Sequence, residues 1–224
     1  MRLIIKRLLY NRLLLKYILF LHTFSYKYAG AIATHLNNGI HPKHRLTQYQ
    51  GWFLNNIEKD WVVLDVGCNT GTMTSALGEK AKHIYGIEIN GKLLEKASRE
   101  KKRRNVDFYL GDATTFDYSP LMPIDCVTLS NVLEHIEERV EFLKKMVRQV
   151  NWRGKKRFLV RVPMVDRDWI TLFKREVGVE WRLDPTHFTE YTQAQFEREL
   201  GEAGIRVRSL SIRFGEIYAV AETG

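Results

Sequence analysis

The sequence predicts an α/β protein built on a doubly wound, mostly parallel sheet and preceded by a helical N-terminal extension. Three observations point there. From Trp61 onward, short continuous apolar runs alternate with helical stretches, the mark of parallel strands buried on both faces. The first of these runs, residues 62–66, passes straight into a Gly-rich turn, Gly67-Cys68-Asn69-Thr70-Gly71, and such a turn sets a strand's carboxyl end beside a ligand. The 224 residues, 45% apolar and 27% charged, suit one ordinary globular domain and exclude collagen-like, disordered and low-complexity chains.

The first 57 residues differ from the rest. They hold eight bases (Arg2, Lys6, Arg7, Arg12, Lys16, Lys27, Lys43 and Arg45) and no acid, whereas the remaining 27 bases face 26 acids. The net charge of +9 therefore belongs to this segment, which sets a boundary near residue 58. Residues 1–57 read as a basic, hydrophobic helical extension or cap, and residues 58–224 as the α/β domain. In the Leu-, Ile- and aromatic-rich run that starts at residue 3, charges at positions 6, 7, 12 and 16 leave ten residues, 17–26, as the longest charge-free stretch, short of the roughly 20 that a membrane-spanning helix needs. Lys16 and His22 interrupt the apolar run that a signal peptide would require. At helical spacing Arg2, Lys6, Arg12 and Lys16 share an arc of about 120°, interrupted by Leu9, Leu13 and Phe20, with Arg7 opposite it. The segment is expected to pack its apolar face on the domain and shelter the substrate site, or to touch anionic lipid through residues 1–24. A nucleic-acid arm is disfavoured, since little aromatic interleaving accompanies the bases. Cys68 and Cys126, 58 positions apart, build neither a disulfide framework nor a zinc site. A reducing, cytoplasmic compartment is expected, with peripheral membrane contact through the extension as the alternative to a cap.

In the body, strands over VVLDV, HIYGIEI, VDFYL, IDCVTLS and KRFLVRVP alternate with helices over TMTSALGEKA, KLLEKASREKK and ERVEFLKKMVRQV. From Pro163 to about Thr189 the chain reads as irregular, aromatic and charged. A helix from about Gln193 to Ala203 follows, stopped by Gly204. The tail reads as two β runs joined at Gly215-Glu216, a hairpin.

The turn after the first strand carries the chemistry. Gly67 and Gly71 permit backbone angles and close approaches that a Cβ would block, and Asn69 is among the few other residues that tolerate a left-handed conformation. A dinucleotide fingerprint would place its last Gly at position 72, where Thr72 stands. Asp65, two residues before Gly67, is hostile to phosphate and suits a cationic ligand bearing an ammonium group. A cofactor without phosphates follows.

The run Asp65-Val66-Gly67-Cys68-Asn69-Thr70-Gly71 resembles the first motif, D-x-G-x-x-x-G after a strand, of the class I S-adenosylmethionine-dependent methyltransferases. The resemblance continues in register over about residues 58–222. Glu88 closes the second strand, Gly111-Asp112-Ala113 follows the third, and Leu129-Ser130-Asn131-Val132-Leu133-Glu134-His135 ends the fourth. This implies a Rossmann-like fold with seven strands and a terminal hairpin, and S-adenosyl-L-methionine as cofactor. It also implies cofactor contacts from Asp65, Gly67, Cys68, Asn69, Gly71, Glu88, Ile89, Asp112, Ala113, Ser130 and Asn131. Glu88 would take both ribose hydroxyls, and Asp112 the adenine amine.

Methyl transfer from a sulfonium is an in-line displacement that gains much from alignment. The acceptor is expected to be a small molecule, methylated on a hydroxyl of a sugar or lipid-linked metabolite. C-methylation of a membrane quinone-like ring, and cofactor binding without turnover, are the alternatives. A hydroxyl acceptor benefits from losing its proton, so His135 and His187 are the candidate general bases. Trp169, Trp181, Phe188 and Tyr191 are candidate pocket walls. The fourth motif lacks the Asn/Asp-Pro-Pro-aromatic run of nucleobase-amine methyltransferases, and the basic clusters at 101–104 and 155–157 are read as helix-end or surface charge, so nucleic acid is disfavoured. No metal is expected, because Asp125 stands at the wrong end of its strand to join Asn131.

Overall fold

The computed structural model describes residues 11–101 and 103–224. Arg2, Lys6, Arg7 and Leu9 of the extension, and Lys102 of the basic cluster, lie outside the described residues. The extension holds helices α1 (Arg12–Leu36), α2 (Pro42–Thr47) and α3 (Tyr49–Asn55). The body continues as β1 (Val62–Val66), α4 (Thr72–Leu77), β2 (His83–Glu88), α5 (Gly91–Arg99), β3 (Val106–Leu110) and β4 (Ile124–Ser130). A 3-10 turn (Leu133–His135) leads to α6 (Arg139–Gln149), β5 (Trp152–Pro163), α7 (Trp169–Glu176), α8 (Gln193–Glu202), β6 (Ile205–Arg213) and β7 (Glu216–Thr223).

The seven strands form one sheet in the order β3-β2-β1-β4-β5-β7-β6. β1 to β5 run parallel, and β7 joins antiparallel to β5 and β6. The apolar runs are continuous because alternate residues enter different cores. Leu64 and Val127 join Phe142, Met146 and Phe196 on one face, while their neighbours Val63 and Cys126 join Leu77, Ile84 and Leu159 on the other. Phe53 and Ile57 are fully buried in this second core, so the end of the extension is part of the domain's packing.

Helix α1 is different. Asn11 caps it through its side chain, and Leu19 is its one buried residue. Lys174 of α7 holds it, with Nζ 3.1 Å from His22 Nδ1 and donating to Thr23 Oγ1 at 2.9 Å. Leu13, Tyr17, Phe20, Phe24, Tyr28 and Ile32, which share one side of the helix at i, i+3 and i+4 spacing, are all exposed. Among the described residues no helix is long and apolar enough to cross a membrane.

The segment 163–189 departs from the sequence reading, since it contains α7. Asp168 caps that helix by accepting from Thr171 N at 2.7 Å, and Gly178, at φ +69°, follows its end. Strand β5 also begins earlier than expected, at Trp152, because Ile124 of β4 pairs with it before the register shifts to Cys126 and Arg157. The terminal hairpin turns at Phe214 and Gly215, both with positive φ.

Gly71 tests the turn that this sheet supports. Its φ is +72°, and a Cβ there would lie 2.7 Å from Phe108 Cζ and 3.0 Å from Ala97 Cβ. Gly71→Ala should therefore lower stability by about 1 to 3 kcal/mol in urea unfolding. An unchanged midpoint would mean that the turn is not held this tightly.

Candidate functional site

Strand order reverses between β1 and β4, so the connections leaving their carboxyl ends diverge and open a crevice there. The turn after β1 is pinned to β2: Gly67 N and Cys68 N both donate to Ile87 O, at 2.8 and 3.0 Å. At Gly67, φ is +69° and a Cβ would meet Val132 Cγ2 at 2.7 Å. Asn69 and Asn131 flank the crevice in the left-handed region, at φ 53° and 56°. Glu88 is buried, and each of its oxygens accepts one backbone amide, from Asn69 and Asn90, both at 2.9 Å. The carboxylate is thereby fixed in one orientation.

Asp65 lies deeper. It has no exposure, and its oxygens accept hydroxyl hydrogens from Thr128 of β4 at 2.7 Å and Thr74 of α4 at 2.6 Å. Burial pushes its carboxyl up to about 6 despite these two bonds. Gly71 is the N-cap of α4, and Cys68 is buried beneath the turn, where desolvation drives its thiol far up and leaves it inert.

Two large cavities share this crevice. One, of about 780 Å³, is lined by Glu88, Ile89, Asp112, Ala113, Asn131 and His135 among others. Asp112 is fixed there by accepting from Thr114 N at 2.8 Å. The other, of about 870 Å³, is lined by Asp65, Cys68, Ser130, Arg161 and, from the extension, Gln48 and Tyr49. Gly67, Asn69, Asn131 and His135 belong to both walls. These volumes lie within the range of small-ligand sites. The arrangement fits S-adenosylmethionine: one cavity offers two oriented carboxylates for the hydroxyls and amine of an adenosine, and Gly67, without a side chain, leaves room in the shared wall where a cationic centre could approach.

His135 also lines a third, smaller hollow with His187 and Phe188. The two imidazole centroids are 4.7 Å apart at 76°, so both histidines singled out from the sequence meet at the same edge of the crevice. Thr186 Oγ1 donates to Asp184 Oδ1 at 2.8 Å and lies 3.0 Å from His135 Nδ1. With its single proton used, the hydroxyl accepts from that nitrogen. His187 Nδ1 donates in the same way to Glu190 Oε1 at 2.9 Å, on a buried carboxylate that also pairs with Arg167. Desolvation, then the charge of His187, holds the His135 imidazole below its usual value. Beside them Glu134 is fully buried with neither oxygen partnered, and burial pushes its carboxyl up to about 8.

Other residues fall elsewhere. Tyr191 is a core side chain bonded to Glu199 at 3.2 Å, and Trp169 is exposed on α7. Trp181 lines a hollow against α1, leaving Phe188 alone of the four aromatics at the crevice. Asp125 accepts from Val62 N at 2.8 Å, anchoring the start of β1. Lys101 and Arg103 pair with Asp107 and Glu79 at 3.0 and 2.9 Å. The sequence reading missed Glu134, Tyr49 and Arg161. Arg161 is buried with its guanidinium 4.3 Å from the Tyr49 ring and Nη1 unpartnered. A charge inside the apolar run of β5 was its only signal.

Residues 64–156 match the family model described as a methyltransferase domain. The ubiquinone biosynthesis O-methyltransferase of Aeromonas salmonicida is 22% identical over 177 residues, covering 70% of this chain and 73% of that one. A protein of Clostridium tetani named an uncharacterized RNA methyltransferase is 41% identical over 61 residues, 26% of this chain and only 13% of its own length. Among solved structures, the magnesium protoporphyrin IX methyltransferase of Synechocystis PCC 6803 with bound SAH aligns with TM-score 0.61 and 17% identity, covering 81% of this chain and 83% of that one. RNA methyltransferases among the relatives take away support for setting nucleic acid aside.

The buried Asp65 carboxyl makes stability depend on pH. Its folded value, about 6, exceeds the ordinary 3.8, so the folded state binds the extra proton between those values and ionised Asp65 costs stability above them. Relative to wild type, Asp65→Asn should gain about 2 kcal/mol on going from pH 4 to pH 7. Urea unfolding of both proteins at the two pH values reads this directly, and a pH-independent difference would contradict it.

Proposed function

From a chain that carries a class I S-adenosylmethionine-dependent methyltransferase domain, we propose a whole protein that methylates a hydroxyl of a small-molecule acceptor, a sugar or lipid-linked metabolite. One observation carries the reading: two cavities, one lined by Glu88 and Asp112 and the other walled by the extension, share Gly67, Asn69, Asn131 and His135. When bound, S-adenosylmethionine supplies a methyl group activated by a sulfonium. Glu88 and Asp112 hold the adenosine end, Ile89 and Ala113 flank it, and Gly67 and Asn69 line the other end. Gln48, Tyr49 and Ser130 offer the second cavity hydroxyl and amide groups, which suits a polar acceptor. His135 and His187 stand where the acceptor's reacting atom would arrive. The O-methyltransferase relative, matched over most of both chains, supports oxygen as the receiving atom.

Helix α1 supports a second partner, anionic lipid. Its exposed stripe from Leu13 to Ile32 carries Arg12, Lys16 and Lys27 on one flank, in a segment without acids. A peripheral position at a membrane would suit a lipid-linked acceptor.

Glu88→Ala should weaken S-adenosylmethionine by about 2 to 4 kcal/mol in calorimetry, the scale of hydrogen bonds to a charged group. His135→Ala should leave that affinity within a few fold yet cut transfer of labelled methyl to extract acceptors by about 10². Unchanged cofactor affinity in the first variant would remove the adenosine assignment.

The lipid reading predicts sedimentation with anionic vesicles that fades as salt rises past about 0.15 M, where the Debye length is near 8 Å. Phe20→Ser and Phe24→Ser should weaken it. Equal binding to neutral vesicles would count against the electrostatic part, and binding to neither against the whole.

A further inference from the structure

Glu134, His135 and His187 form a cluster whose bonding is incomplete. One donor atom from each lies within 4.8 Å of the other two. Glu134 comes from the 3-10 turn after β4, with no exposure and no hydrogen bond to either oxygen. Thr186 and Glu190 occupy Nδ1 of the two imidazoles as acceptors, which fixes the proton on Nδ1 and leaves Nε2 of each ring as the lone-pair nitrogen. Each of the three residues thus has an electron pair to offer, and the three groups lie together. A single proton would serve one carboxylate oxygen and leave the other lone pairs facing one another, whereas a cation serves all of them together.

We infer that these three residues bind one divalent first-row transition ion, of the kind represented by Zn2+ and Mn2+. The donor set of two imidazoles and one carboxylate selects this class over Mg2+ or Ca2+, which prefer all-oxygen sites. Bonds of about 2.1 Å would draw the donors together through small side-chain rotations. The outer partners are present as well: a carboxylate or hydroxyl behind each imidazole nitrogen is what orients ligating histidines. The expectation of no metal considered converging carboxylates at Asn131. The structure instead brings one carboxylate to two imidazoles.

His135 is exposed where the cavities meet, so an ion held by three ligands on one side keeps positions open toward the acceptor. The ion's role in turnover rests on the function proposed above. It would draw on the acceptor oxygen and favour release of the hydroxyl proton to solvent. That oxygen's electron pair would then form the new bond to the methyl carbon while the carbon–sulfur pair returns to sulfur. The products are the methylated acceptor, S-adenosylhomocysteine and one proton.

The test uses the whole chain, stripped with a chelator and titrated with Co2+ while visible absorption is followed. One equivalent should bind. Glu134→Gln, His135→Ala and His187→Ala should each weaken uptake by more than tenfold, and Thr186→Val, which removes the partner of His135 Nδ1 together with that hydroxyl's bond to Asp184, by about tenfold. The His135 side chain is exposed, so His135→Ala should melt like wild type and keep the comparison clean. No uptake, or uptake undiminished in all three ligand variants, overturns the site. S-adenosylmethionine titrated into the same stripped protein separates the two readings. Cofactor binding without Co2+ uptake removes the ion alone, and Co2+ uptake without cofactor binding removes the methyl-transfer reading alone.

Discussion

The crevice depends on a carboxylate that solvent never reaches. Asp65 sits in the central strand with hydroxyls of Thr128 and Thr74 on its two oxygens, so one side chain ties β1 to the neighbouring strand and to the helix that follows the turn. Holding an ionised group there costs free energy, since burial outweighs the two bonds. The return is geometric. With β1, β4 and α4 fixed to one point, the chain between them must turn within five residues, and Gly67 and Gly71 turn it where any Cβ would strike Val132 or Phe108. The same carboxylate sets a negative potential behind the turn in a medium of low dielectric, which favours a cationic ligand on the open side.

Much of this was legible because it rests on local rules. Strands buried on both faces must be apolar throughout, so residues 62–66 and 124–130 declare themselves without alternation. Gly204 and Gly215 mark a helix stop and a hairpin turn because their positive φ demands glycine. Helix α7 was hidden for the opposite reason. Its eight residues mix Trp, Lys, Arg and Glu, and the signals that could have revealed it were the Asp168 cap and the stop at Gly178. The early start of β5 depends on Ile124 pairing with Trp152, a contact between distant residues that no local pattern encodes.

The site divides along the same line. Glu88 and Asp112 were found because they stand at strand ends, where the topology delivers side chains to one crevice. Their fixed orientation, through amides of Asn69, Asn90 and Thr114, is a property of the turns around them. Glu134 stood beside His135 in the quoted motif, yet its meaning depends on the 3-10 turn that sends it inward while His135 stays at the edge. His187 arrives from a loop tied back to that turn by Phe188 N donating to Glu134 O at 2.8 Å. No spacing along the chain encodes that approach.

The extension explains why the charge of the chain is so unevenly placed. Its last part is structural: Phe53 and Ile57 enter the core, Tyr49 stacks under the Arg161 guanidinium, and Lys43 pairs with Glu216 at 3.0 Å. Its first part, α1, turns an apolar stripe outward and docks through few contacts. Three residues join Leu36 to Ile40, a reach of about 10 Å, and Gly39 and Ile40 already line the second cavity. Whatever α1 lies against is therefore within a short distance of the acceptor side. A lipid surface at the stripe would place the cavity mouth beside the interface, so a lipid-linked acceptor could reach His135 without leaving the membrane entirely.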